Sequence, residues 1–95
     1  MFKDLDPLLH SQLRLSIMSL LISVKEADFA FLKEKTNASA GNLNVQISKL
    51  SDADYITIKK TFKDNYPQTS CIITKKGIKA FEEYVATIQA YIKKN

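Results

Sequence analysis

The residues best equipped for chemistry cluster between Ser39 and Lys49. Asn42, Asn44, Val45, Gln46, Ser48 and Lys49 fall on the outward side of a helix whose other face is Leu43, Ile47 and Leu50. Asn and Gln amides can bond the N6 and N7 of adenine in pairs, a valine methyl can meet a thymine methyl, and lysine can reach phosphate or guanine. Ser39 is placed to cap this helix. Gly41, without a side chain, lets the helix start approach a backbone closely, and the free N–H groups there favour a phosphate. The stretch from Ser39 to Lys49 has one cation and no acid. An ordinary solvated face mixes both signs, although a solvated polar face is the plainer alternative. A second group follows at Lys59, Lys60 and Lys63, with Asn65 and Tyr66 beside them. Lysines on a hairpin next to such a helix can lie along phosphates or enter a minor groove.

Elsewhere the chemistry is sparse. The chain has one histidine, His10, and one cysteine, Cys71, so neither a disulfide within the chain nor a His/Cys metal cluster is expected. There is no Ser/His/Asp set and no glycine-rich phosphate loop, and no cofactor or enzymatic activity is expected. His10 reads as a packing or hydrogen-bonding residue, Arg14 as the partner of an acid or a helix end, and Cys71 as a small buried apolar group.

The elements that must hold these residues follow from periodicity. Ninety-five residues, 45% hydrophobic and 25% charged, suit one domain spanning residues 1–95. The net charge is +4, of which +3 falls in residues 36–76, the footprint of a polyanion-binding surface. No apolar run approaches the roughly 18 residues needed to cross a bilayer. Asp4 and Asp6 stand where a secretory leader would be basic, so a cytoplasmic location is expected.

Asp6-Pro7 starts a short helical turn, and Ser11 caps a helix that is apolar around most of its girth. Glu26-Ala27-Asp28 opens a second helix that stops at Thr36-Asn37. The third helix runs over residues 40–50. Residues 55–62 then alternate as a strand with Ile56, Ile58 and Phe62 on one face, 63–68 is a loop, and 69–73 is the returning strand. Thr74 caps a long last helix in which Ile78, Phe81, Val85, Ile88 and Ile92 repeat at heptad-like spacing. Both terminal helices carry more apolar surface than one small core can cover. A second copy of the chain is therefore expected against Leu5, Leu8, Leu9 and the C-terminal seam, with Tyr91 alongside.

The expected class is α+β and mostly helical. It comprises a three-helix core, a β-hairpin wing and a long C-terminal dimerisation helix. Two helices joined by the tight turn Asn37-Ala38-Ser39 form a helix-turn-helix. The stretch from Leu5 to Ile92 resembles the winged helix-turn-helix family of small MarR-like and ArsR-like bacterial regulators. The matching motifs are His10-x-x-x-Arg14-Leu15-x-Ile17, Asp28-Phe29-x-x-Leu32-Lys33, Gly41-Asn42-Leu43 with Lys49-Leu50, Tyr55-Ile56-x-Ile58-x-Lys60, and Thr74-Lys75-Lys76-Gly77-Ile78. The resemblance implies a homodimer that binds two-fold-symmetric double-stranded DNA as a transcriptional regulator, with no catalysis; with no long apolar run, no membrane association is expected. An effector ligand stays unknown. The family usually has glycine where Asp54 stands, which implies a slightly strained turn. A winged-helix module for protein contacts, without DNA binding, is the alternative, favoured by the mild charge and the absence of arginine from the wing.

Overall fold

A computed structural model describes residues 2–93 of the chain. Its elements, in order, are helix α1 (Gln12–Val24), strand β1 (Glu26–Asp28), helices α2 (Phe29–Thr36) and α3 (Ala40–Asp52), strands β2 (Ile56–Lys63) and β3 (Tyr66–Ile73), and helix α4 (Lys75–Ile92). The strands form one antiparallel sheet in the order β1-β3-β2.

Each helix begins at a residue able to accept from its own first turn. The Asp6 carboxylate accepts from the Leu8 N–H at 2.9 Å and starts the leading turn. Ser11, Asp28, Ser39 and Thr74 then cap α1, α2, α3 and α4. Asn37, at φ 57°, ends α2 in the left-handed conformation that the tight turn into α3 requires.

The core is built from the apolar stripes of these elements. Leu43, Ile47 and Leu50 of α3 meet Ile17, Met18 and Leu21 of α1, with Leu32, Ile56, Cys71 and Ile73 closing the cluster. This fixes α3 by its inner side and leaves its polar side outward.

Three features of the chain differ from the sequence reading. Glu26-Ala27-Asp28 does not open α2. Lys25, at φ 70°, turns the chain after α1, and the three residues pair with β3 through Ala27↔Cys71. Pairing satisfies their backbone while burying Ala27, so α2 starts one residue after its cap, Asp28. The region 63–68 is not an open loop. Asp64 and Asn65, at φ 53° and 66°, make a two-residue turn, and pairing runs out to Lys63↔Tyr66. Two successive left-handed residues match the right-handed twist of a tight hairpin. Finally, Phe62 shares the strand face of Ile56 and Ile58 but not their burial. The hairpin overshoots the core, and the Phe62 ring is 78% exposed.

Candidate nucleic-acid interface

The outward side of α3 is assembled from residues with nothing above them. Asn42, Asn44, Ser48 and Lys49 are exposed, and Val45 is half-exposed at 50%. A methyl group added at Gly41 would meet no atom within 4 Å, so packing places no demand for glycine there. Ser39 spends its hydroxyl on the Asn42 N–H at 3.2 Å. The first-turn amides at Ala40 and Gly41 have no acceptor inside the helix, as at any helix start.

Gln46 is the exception on this helix. Its side-chain oxygen accepts from the Arg14 guanidinium, and its amide nitrogen donates to Asn42 Oδ1 at 3.0 Å. Arg14 also donates from Nε to the Leu8 carbonyl at 2.6 Å. The guanidinium therefore ties the leading turn to α3 and holds Gln46, and through it Asn42, in one orientation. The sequence shows Arg14 only as a cation seeking a helix end. Its reach across to α3 depends on how α1 and α3 cross.

The wing is anchored at its base. Asp28 accepts from the Phe31 N–H at 2.7 Å and, with its other oxygen, from Gln68 Nε2 at 2.7 Å. One carboxylate thus caps α2 and fixes β3 beside it. Beyond this link an open groove of about 570 Å³ runs between the start of α2, Asn44 of α3 and the wing residues Lys63, Tyr66 and Pro67. Lys63, Asn65 and Tyr66 are exposed around the turn, Tyr66 at 75%. Lys60 is exposed on the other strand face, alternating with Lys63 along β2. The structure thus brings Asn44, Lys63 and Tyr66 to one groove, while Lys60 flanks it.

At the junction between α3 and the wing, Asp54 adopts φ 63°, the left-handed conformation in which glycine would be unstrained. Its carbonyl accepts from the Thr74 hydroxyl at 2.6 Å, which holds the turn against the start of α4. Next to it, the Tyr55 hydroxyl donates to Asp6 Oδ2 at 2.5 Å. Burial, followed by this hydrogen bond and the Asp6 charge, pushes the phenol up to about 12. Burial alone raises the Cys71 thiol to about 11. A thiol kept neutral inside the core is unreactive.

These positions have the layout of a recognition helix beside a hairpin wing, and residues 13–92 match the winged helix DNA-binding domain family. The chain belongs to that family. It is 34% identical over 79 residues to an uncharacterized protein of Methanocaldococcus jannaschii, covering 83% of this chain and 86% of that one. A transcriptional regulator homologue from Pyrococcus horikoshii superposes with a TM-score of 0.84 at 26% identity, covering 90% of this chain and 84% of that one. NadR, solved in complex with 4-hydroxyphenylacetate, shares the fold with a TM-score of 0.74 at 20% identity, over 90% of this chain and 63% of its own. Family and fold are thus those of a winged-helix DNA-binding domain. Among the described residues, no helix is long and apolar enough to cross a membrane.

The winged-helix chain divides the residues expected at a dimer face. Leu9 is wholly buried in the chain's own core and offers nothing to a second copy. The turn capped by Asp6 folds it inward, a direction that spacing alone does not reveal. Leu5, Leu8, Ile78, Phe81 and Ile88 are half-buried against that same core. Val85, Tyr91 and Ile92 stay exposed at 37%, 45% and 70%. Tyr91 stacks on Phe2 with ring centres 4.6 Å apart and donates to the Lys3 carbonyl at 3.0 Å, which straps the N-terminal segment along α4. His10 lies 3.0 Å from the hydroxyl of the buried Tyr84, in the hydrogen-bonding role expected of it.

Proposed function

We propose that the protein acts as a homodimeric repressor that reads a pseudo-palindromic operator. Each protomer lays residues 40–50 in a major groove. Ser39 and Gly41 approach the backbone there, and Asn42, Asn44, Val45, Ser48 and Lys49 face base edges and phosphates. Gln46 acts chiefly by orienting Asn42. The wing, with Lys60, Lys63, Asn65 and Tyr66, covers the flanking DNA. A role without catalysis, in the cytoplasm, fits this reading. So does a second protomer against Leu5, Leu8 and the Ile78–Ile92 side of α4, where Val85, Tyr91 and Ile92 are exposed.

The observation that carries the proposal is the exposed polar side of residues 39–49, where one lysine and no acid stand before Asp52 ends the helix, opening through Asn44 onto the same groove as Lys63 and Tyr66. In a dimer, two such helices set one helical turn of DNA apart, about 34 Å, would meet successive major grooves on one side of the duplex.

Selection of bound duplexes from a random pool tests binding, symmetry and half-site spacing together, and sedimentation velocity gives the oligomeric state. Asn44→Ala should relax sequence preference at one position per half-site. Lys63→Ala should weaken all duplexes alike and lower the salt slope by about 1 per protomer, about 2 for the dimer. Uniform weakening by Asn44→Ala would refute this division of roles. Failure of the wild-type chain to bind any duplex at low salt would favour a protein-interaction module, for which the exposed Phe62 and Tyr66 would then be the contact surface.

A further inference from the structure

The wing ends in an aromatic residue that the chain itself does not use. Along β2, Ile56 is buried and Ile58 half-buried. The same strand face continues as Lys60 and then Phe62, which at 78% exposure is more open than Tyr66 or Ile92. Opposite Phe62 in the ladder stands Pro67, itself exposed and lining the groove that Asn44 and Lys63 share. The hairpin holding this pair is paired without a break from Ile56↔Ile73 to Lys63↔Tyr66 and closed by Asp64 and Asn65 in left-handed conformations. An apolar ring is thus carried outward on a paired hairpin, next to Lys60 and Lys63.

We infer that Phe62, backed by Pro67, is an apolar wedge that enters the minor groove beside the recognition helix and partly unstacks a base step. This rests on the DNA-binding reading and adds the way the wing engages. The wing has no arginine to place in a narrow groove, so its grip there comes from the lysines and this ring. Wedges of this kind open flexible pyrimidine–purine steps most easily and kink the duplex by roughly 20–90°. The occupant is DNA because Lys59, Lys60 and Lys63 beside the ring outnumber Asp64, the one acid of the wing tip. The groove beside the ring also continues onto the polar side of α3.

The test uses the whole chain and two 40-base-pair duplexes end-labelled for energy transfer, one rich in TpA steps and one of G·C pairs only. The wild-type chain should bend the TpA-rich duplex more than the other. Phe62→Ala should weaken binding to the TpA-rich duplex about tenfold and abolish that extra bend, in keeping with the usual contribution of one aromatic–base contact. Phe62→Leu, still able to wedge, should keep most of both, and Lys60→Ala should weaken the two duplexes alike. Because Phe62 is outside the core, far-ultraviolet circular dichroism should be unchanged in each variant. Wild-type affinity and bending by Phe62→Ala would overturn the wedge while leaving DNA binding intact. Loss of binding accompanied by loss of self-association would assign the ring to a second copy instead. If the wild-type chain binds neither duplex, the DNA-binding reading falls and the wedge with it.

Discussion

The two glycines offer opposite substitutions whose outcomes separate packing from function. Gly41 is the second residue of α3, and a methyl group there would meet nothing within 4 Å. Glycine to alanine at an unstrained helical position stabilises by about 0.4–1 kcal/mol, chiefly by restricting the unfolded chain. For a domain of this size that raises Tm by about 2–8 °C. The same methyl group would stand between the start of α3 and a DNA backbone, so Gly41→Ala should bind duplex more weakly despite being more stable.

Gly77 is the control. A Cβ there would lie 2.1 Å from the Tyr55 carbonyl oxygen and 3.1 Å from Met18 Cε. That carbonyl already accepts from the Thr74 N–H and hydroxyl, both at 3.1 Å. Alanine gains about 1 kcal/mol of helix propensity. Against this, overpacking costs about 1–3 kcal/mol, and the displaced hydrogen bonds about 1 kcal/mol each. Gly77→Ala should therefore lose about 2–4 kcal/mol on balance, or about 8–30 °C in Tm. Thermal and urea unfolding measure the stabilities, and fluorescence anisotropy on a labelled duplex measures binding. A destabilised Gly41→Ala would refute the open space read at that position, and one that binds duplex as well as wild type would refute the assignment of Gly41 to close backbone approach. A stable Gly77→Ala would refute the packing argument.

Two further outcomes follow from the same contacts. Arg14→Ala, which removes the donors to the Leu8 carbonyl and Gln46, should cost about 1–2 kcal/mol in urea unfolding. It should also alter base preference near Asn42, because Gln46 is released; unchanged selection results would show that the guanidinium only braces the fold. The raised Tyr55 phenol contributes stability that is complete below its ordinary value of 10.0 and is lost as pH climbs towards about 12. Tyr55→Phe should flatten that alkaline decline in a pH series of melting curves, and an identical decline would place its cause elsewhere.

Much of this molecule is dictated locally. Ser11, Ser39 and Thr74 cap helices because a side-chain oxygen can reach the amide three residues on. Leu43, Ile47 and Leu50 line one stripe because the helical period puts them there, and that stripe leaves Asn42, Asn44 and Lys49 outward. These are short-range effects, visible as residue types at fixed spacings, and they suffice to mark out a polar helix face over residues 39–49 and a lysine-bearing hairpin after it.

Long-range geometry decided the remainder. Glu26–Asp28 became a strand because β3 lies within reach, and Phe62 stayed in water because the hairpin outruns the core. Leu9 went inside because a capped turn folds it under, and Gln46 lost its freedom to an arginine 32 residues away in the chain. Each of these depends on which surfaces meet across the chain. Spacing records the period of an element, whereas the distance between elements is set only when their apolar faces close together and exclude water.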